Sequence, residues 1–380
     1  MLGVLQKDNC LSLFLQQFCP AVVLPLLGKA IGNDLPKPFK VLHLASGNLY
    51  GGIEKILTTF AKNQEYSPEM LQDFAVCFNG RLRNELLEAK VTVHDIGSFR
   101  YSRPWSLPPV QKKFAEILKS GGYDAVIFYG SWQYVALVKT AKKAGCRCVF
   151  WAMNYFGSGL LDWFAKWSKP HVALACSRDV ERTISSFCIP GRHQTIFPPL
   201  DSDNMSDLLK IRSRLRSQFN VRDNTKIILM ASRLDPYKGH RLLVTALGKL
   251  LVKIPEGWEV WMAGGVQRSQ EMFYLRELQT LAKKVGVSDK IRWLGQRSDP
   301  LELMATADLF CHPNQGPEPF GVVFLEAQSM GCPVITTAMG GALEAVEDNG
   351  INTLLAKPCP DLLAQALEKH LLMPGRYAVP

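Results

Sequence analysis

The sequence predicts an α/β protein built from two doubly wound, Rossmann-like parallel-sheet domains. Three observations lead there. Short apolar runs alternate with helical stretches from residue 39 onward, the alternation breaks once near residue 200, and a new alternation then begins in a 380-residue chain. A chain of that length exceeds one ordinary hydrophobic core, at about 100–200 residues per domain.

The first series of runs is "KVLHLAS", "DFAVCF", "VTVHDI", "DAVIFYG", "CRCVFWA" and "HVALAC". Each has the length and composition of a strand buried on both faces, and "IEKILTTFAK" and "VQKKFAEILKS" between them have helical spacing. At 196–204, "IFPPLDSDN", two prolines and a polar cluster mark a linker, followed by a polar helical segment. The second series is "KIILMAS", "WEVWMAG", "KIRWLG", "ADLFCHP" and "PVITTA". The expected domains are therefore 39–200 and 201–380, with loops at the C-terminal strand ends facing one cleft. Residues 1–38 form an N-terminal apolar extension.

Composition limits the partners. With 47% hydrophobic and 21% charged residues the chain reads as an ordinary globular protein. Its 44 Lys and Arg against 34 Asp and Glu leave +10, spread along the chain. That balance suits anionic small molecules or an acidic membrane face, and no nucleic-acid module is apparent, so nucleic acid is not expected as a partner. Ten cysteines lack a repeating spacing, and Cys146 and Cys148 have no matching pair to complete a zinc site. Free buried thiols in a reducing cytoplasm are expected. The uncharged stretch 10–28 contains Gln16, Gln17, Pro20 and Pro25, and its basic flank is only Lys7, offset by Asp8. It reads as a helical extension that packs on the body or touches a membrane surface, not as a cleaved signal or spanning helix.

The densest chemistry lies in "GPEPFGVVFLEAQSMGCPV", residues 316–334. Pro317 and Pro319 disfavour helix, and the run from Val322 to Gly331 is unbroken, so Glu318 precedes a helix that contains Glu326. About five helical residues at roughly 1.5 Å each set the two carboxylates on the order of 10 Å apart. The amides of Phe320, Gly321 and Val322 ahead of that helix form an anion site, and Gly321 allows close approach. The plain alternative makes Glu318 a first-turn acid and Glu326 a solvated helix residue. For Glu326 its apolar neighbours Phe324, Leu325 and Ala327 argue otherwise, because a buried acid needs partners.

Other strand ends add weaker signals. "RLDPYKGH" places Arg233 and Lys238 either side of an Asp235–Pro236 turn, where both cations reach one diphosphate unless they are simply solvated. "GNLYGGIEK" sets Gly51 and Gly52 before a helix, as a phosphate-cradling loop or a tight turn. Its spacing is not the dinucleotide fingerprint and it lacks the P-loop lysine. "MAGGVQ" supplies Gly264 and Gly265.

Together, "EPFGVVFLE", "PVITTAMGGALEAV", "SRLDPYKG", "ADLFCHP" and "GNLYGGIEK" resemble the retaining nucleotide-sugar glycosyltransferases of family 4, which have the GT-B fold. The resemblance covers roughly residues 39–370. It implies that Glu326 holds the donor ribose, that Glu318 contacts the transferred sugar, and that Arg233 and Lys238 neutralise the diphosphate leaving group. The amides around Phe320 to Val322 would face the sugar and phosphates, Gly264 would lie on the donor side, and Gly51 and Gly52 would approach phosphate and acceptor. It further implies a nucleoside diphosphate sugar as donor substrate, no cofactor, no metal requirement, and transfer with retention. The acceptor is a sugar, lipid or small molecule, met in the cytoplasm or at the membrane surface. Two positions depart from the family pattern. Histidines common in the family are replaced by Tyr129 and Met153, leaving Tyr129 and Asn154 as acceptor-side polar candidates. The second domain also ends at "LLMPGRYAVP", where relatives usually continue through a final crossing helix. A catalytically silent relative that binds nucleotide sugars, or one that epimerises or phosphorolyses sugars, would share the fold.

Overall fold

A computed structural model describes residues 38–47, 50–157, 159–185, 187–188, 192–200 and 207–373. The expected apolar extension, apart from Pro38, and the last seven residues lie outside this range, as does the end of the expected linker, 201–204. The chain divides into two compact units after Asp201.

The first unit is a seven-stranded sheet in the order β3-β2-β1-β4-β5-β6-β7, parallel throughout. Its strands are β1 (Phe39–Ala45), β2 (Met70–Val76), β3 (Val93–Asp95), β4 (Ala125–Phe128), β5 (Arg147–Ala152), β6 (Val172–Ala175) and β7 (His193–Thr195). The second is a six-stranded sheet in the order β10-β9-β8-β11-β12-β13, again parallel. It contains β8 (Lys226–Ala231), β9 (Trp258–Ala263), β10 (Ile291–Gly295), β11 (Leu309–His312), β12 (Val334–Thr337) and β13 (Thr353–Leu355). The apolar runs become buried central strands: Val41, Leu42 and Leu44 of β1, and Ile227 to Met230 of β8, have no exposed surface. Apolar groups on both faces are what a parallel sheet covered by helices requires. The two strands that periodicity did not reveal, β7 and β13, are three-residue edges, half-buried except at Leu355, and too short to show a pattern.

Strand order reverses between β1 and β4 in the first sheet and between β8 and β11 in the second. Such switch points are where open α/β sheets bind ligands, because neighbouring loops leave in opposite directions there. One device fixes both. Asp124, just ahead of β4, donates its amide to Lys40 O at 2.9 Å and accepts the Lys40 amide on its carboxylate at 2.8 Å. Asp308, just ahead of β11, does the same with Ile227, at 2.9 Å for each bond. Asp308 also takes the Arg212 guanidinium at 2.8 Å, which ties helix Leu208–Gln218 to the base of β11. Breaking a buried pair of this kind typically costs about 3–5 kcal/mol.

Seven of the described cysteines are buried free thiols, and Cys359 is a half-buried one. Among the described residues no helix is long and apolar enough to cross a membrane.

Candidate active site

The loops that leave β8 and β11 on either side of the second switch point are locked to each other. Asp235 caps a short turn, Pro236–Lys238, by accepting the Tyr237 amide at 3.1 Å. Gly239 then takes φ +83°, and a Cβ there would lie 1.9 Å from the Pro313 carbonyl oxygen. The Gln315 amide donates to Tyr237 O at 2.8 Å. Only glycine tolerates both that conformation and that contact. The consequence is a specific pairing. Lys238 Nζ lies 2.7 Å from Glu318 Oε2, which also accepts from Asn314 Nδ2 at 3.0 Å. Asn314 is buried, and the Lys238 and Glu318 side chains are 22% and 12% exposed, so the pair is only partly screened by water.

Glu318 is fixed through its backbone as well. Its carbonyl accepts the Gly341 amide at 2.7 Å, and Glu318 and Gly340 form a parallel bridge. The loop "EPFG" is thereby stitched to "MGG" after β12. Glu318 is not a first-turn acid, since the helix runs Val322–Ser329 with Gly321 at its N-cap. Gly321 has φ +89° and no side chain caps the helix; the Phe324 amide turns back to Gly321 O at 2.9 Å, and the earlier amides of the first turn have no intrahelical acceptor. Glu326 is 9% exposed between buried Phe324, Leu325 and Ala327, so it is not a solvated surface residue. Phe320 is also buried. The structure thus gathers Lys238, Glu318 and the helix start, where Phe320 and Gly321 lead into the helix that carries Val322 and Glu326.

Arg233 stands half-buried directly after β8. Gly264, after β9, is explained by packing: a Cβ would meet Ser232 O at 2.0 Å, and its amide donates to Gly295 O at 2.8 Å. Close approach of two strand ends requires that glycine without any ligand.

Two histidines and an asparagine complete the setting. His240, with Nε2 at 3.3 Å from Ser232 Oγ, has its pKa lowered to about 4 by burial, against weaker help from Asp235. His312, between the rings of Phe310 and Phe324, is pushed well below the ordinary value, first by burial and then by Lys238 and His240. Both are neutral at neutral pH, so positive potential rests on Lys238 and Arg233. The sequence reading passed over His240, His312 and Asn314, although each adjoins a quoted motif. The available signal was a polar residue at the end of an apolar run, in "KGH" and "CHPN".

The first switch point is different. The Gly51 amide donates to Glu54 Oε2 at 3.0 Å, so helix Gly52–Lys62 is capped by its own carboxylate. A Cβ on Gly52 would touch nothing within 4 Å. Tyr129 lies in the core: its hydroxyl is 2.7 Å from His43 Nδ1, and His43 Nε2 is 3.0 Å from Gln72 Oε1. Burial lowers the His43 pKa to about 4 and raises that of Tyr129 far above its usual value. An imidazole inside the apolar strand "VLHLA" needs partners, and Tyr129 is one of them. Met153 is buried too, while Asn154 is exposed after β5.

Comparison with known proteins adds to this geometry. Residues 211–378 match the family model described as Glycosyl transferases group 1. A GDP-mannose-dependent alpha-(1-6)-phosphatidylinositol monomannoside mannosyltransferase of Mycolicibacterium smegmatis is 26% identical over 296 residues, covering 71% of this chain and 73% of that protein. A D-inositol 3-phosphate glycosyltransferase of Corynebacterium aurimucosum is 31% identical over 189 residues, 48% of this chain and 42% of that protein. In fold, the chain is similar to Anabaena Alr3699/HepE, solved in complex with UDP and glucose. The TM-score is 0.75 at 24% identity, over 88% of this chain and 90% of that one. The two parallel sheets with their switch-point loops, the matched segment and this likeness lead to one assignment: residues 211–378 are a group 1 glycosyltransferase domain, carried in a chain of the GT-B fold.

Proposed function

We propose that this chain transfers a sugar from a nucleoside diphosphate sugar to an acceptor hydroxyl, with retention of configuration and without a metal requirement. One observation carries the reading: the Lys238–Glu318–Asn314 cluster at the second switch point, beside the uncapped start of helix Val322–Ser329. As the bond from anomeric carbon to phosphate oxygen breaks, negative charge grows on that oxygen. Lys238, Arg233 and the helix amides are the groups to stabilise it, and one such donor is typically worth about 10²–10³ in rate. An ammonium has three N–H donors, so Lys238 keeps Glu318 while it donates to phosphate. Glu318 therefore aims Lys238 and also contacts the sugar. Glu326, buried one turn into the helix, accepts from the ribose hydroxyls. The acceptor oxygen attacks on the face that the diphosphate leaves, and its proton passes to the departing phosphate. The named relatives use GDP-mannose or inositol 3-phosphate, which supports a hexosyl donor and a sugar or glycolipid acceptor.

A second reading, donor binding without turnover, is favoured by one observation: Tyr129 and Met153 are buried rather than presented to an acceptor. One experiment separates the two. The full chain is screened for thermal stabilisation by uridine, guanosine and adenosine diphosphate sugars, where a ligand at 100 times its dissociation constant adds about 2.7 kcal/mol. Hydrolysis or transfer is then followed with and without a chelator. Stabilisation with chelator-resistant turnover is expected. Stabilisation without turnover selects the second reading, and no stabilisation by any donor overturns both.

A further inference from the structure

The first domain carries a surface that the proposed transfer leaves without a role. Helix Leu160–Ala165 and the turn after it expose Leu160, Trp163, Phe164 and Trp167, at 72%, 51%, 39% and 72%. Exposed apolar residues are ordinary singly, but four adjacent ones are not. They are no loose loop. The three rings lock edge to face, with centroids 4.8–5.6 Å apart. Beneath them Ala165 is buried, Tyr134 bonds to Ser168 O, and Lys142 Nζ donates to Lys169 O at 2.7 Å and to Ser168 Oγ at 3.2 Å. Asp162, the acid of this helix, is turned inward onto Ser131 and the amides of Gly157 and Gly159.

The segment that carries the rings and its neighbours supply cations. Lys166 and Lys169 belong to the same segment, and Lys142, Arg147 and Arg192 all lie close enough to His171 to disfavour its protonated form, after burial. A second copy of the chain seated on this face through a two-fold interface would bring like charges together. A sheet of anionic headgroups neutralises them. Tryptophan rings prefer the boundary between headgroup and acyl chain, and lysine stems reach from that depth back to water.

We propose that this face, Leu160, Trp163, Phe164 and Trp167 with Lys166 and Lys169, docks the protein on an anionic lipid bilayer. It places membrane contact on the folded first domain and does not depend on the donor or acceptor chosen. The test is co-sedimentation of the full chain with phosphatidylcholine vesicles and with phosphatidylcholine–phosphatidylglycerol vesicles, at low and high salt. Binding to the anionic vesicles that weakens in high salt is expected, since the screening length shrinks. The double change Trp163→Ser and Trp167→Ser should lower that binding by about tenfold or more, and Lys166→Ala with Lys169→Ala should weaken its salt dependence. Near-ultraviolet circular dichroism and unchanged donor affinity show that the variants remain folded. Absence of binding to anionic vesicles overturns the proposal, as does binding that both variants leave unchanged, which would place the contact elsewhere. Self-association lost in the tryptophan variant, without vesicle binding, would make a second copy the occupant and also overturn it.

Discussion

Between β1 and β4 the first domain fills its switch point with side chains, because His43, Gln72 and Tyr129 close a hydrogen-bonded chain inside the sheet. Between β8 and β11 the second domain fixes a charged pair in the loops beyond the strands. The backbone frame is the same in both, down to Asp124 and Asp308 holding the strand starts. Frame alone therefore does not make a site. Function depends on whether the polar residues are consumed by the core or held outside it. Backbone contact or positive φ demands glycine at strand ends in both domains, at Gly47 and Gly80 as at Gly239 and Gly321, whereas Gly52 has open space.

The comparison breaks most sharply at Lys238. If its charge matters chiefly to the leaving oxygen, Lys238→Ala lowers turnover by about 10²–10³ and leaves the affinity for free nucleoside nearly unchanged. Steady-state rates and nucleoside titrations check this, and equal losses in both would return Lys238 to an ordinary surface ion pair. Next comes the loop frame. Gly239→Ala forces a Cβ against Pro313 O in a left-handed backbone, so a loss of roughly 3 kcal/mol in chemical denaturation is expected. Unaltered stability would mean that the two loops are not locked.

Tyr129→Phe tests the other side of the comparison. It strands His43 Nδ1 in the core and should destabilise the first domain by about 1–3 kcal/mol, with the KM for acceptor unaffected. A raised KM at full stability would make Tyr129 an acceptor contact after all. The smallest effect is expected at Gly52→Ala, in open space at a helix start. It should change stability by less than about 1 kcal/mol, in the stabilising direction, and should not alter donor affinity. A large loss of donor affinity there would show that a ligand, not the backbone, needs that glycine.

Much of the fold was legible in the sequence, because a strand covered on both faces by helices reads as a mainly apolar run, and the central strands β1, β4, β5, β6, β8, β9, β11 and β12 are such runs, with a charge, where there is one, near an end. The edges β7 and β13 were not, since strands of three residues are too short to carry a period. In the site, the order of Pro317, Glu318, Pro319 and Gly321 announced an acid ahead of a helix, and local punctuation sufficed for that. It did not reveal that Glu318 pairs with Lys238, eighty positions earlier in the chain. Nor did it reveal that Asn314 shares the same oxygen, or that Tyr129 answers His43 across the sheet.

By itself the sequence determined two parallel α/β domains, the position of helix Val322–Ser329, and which residues carry charge. These follow from local propensity and from the period of burial, which neighbours along the chain encode. Only the tertiary structure decided which polar groups meet. It tied Lys238 to Glu318, placed Tyr129 inside the first domain, and left Trp163 and Trp167 outside it. The reason is physical: strand order brings β8 beside β11 and β1 beside β4, and partners joined across a sheet are set by that packing, not by separation in sequence.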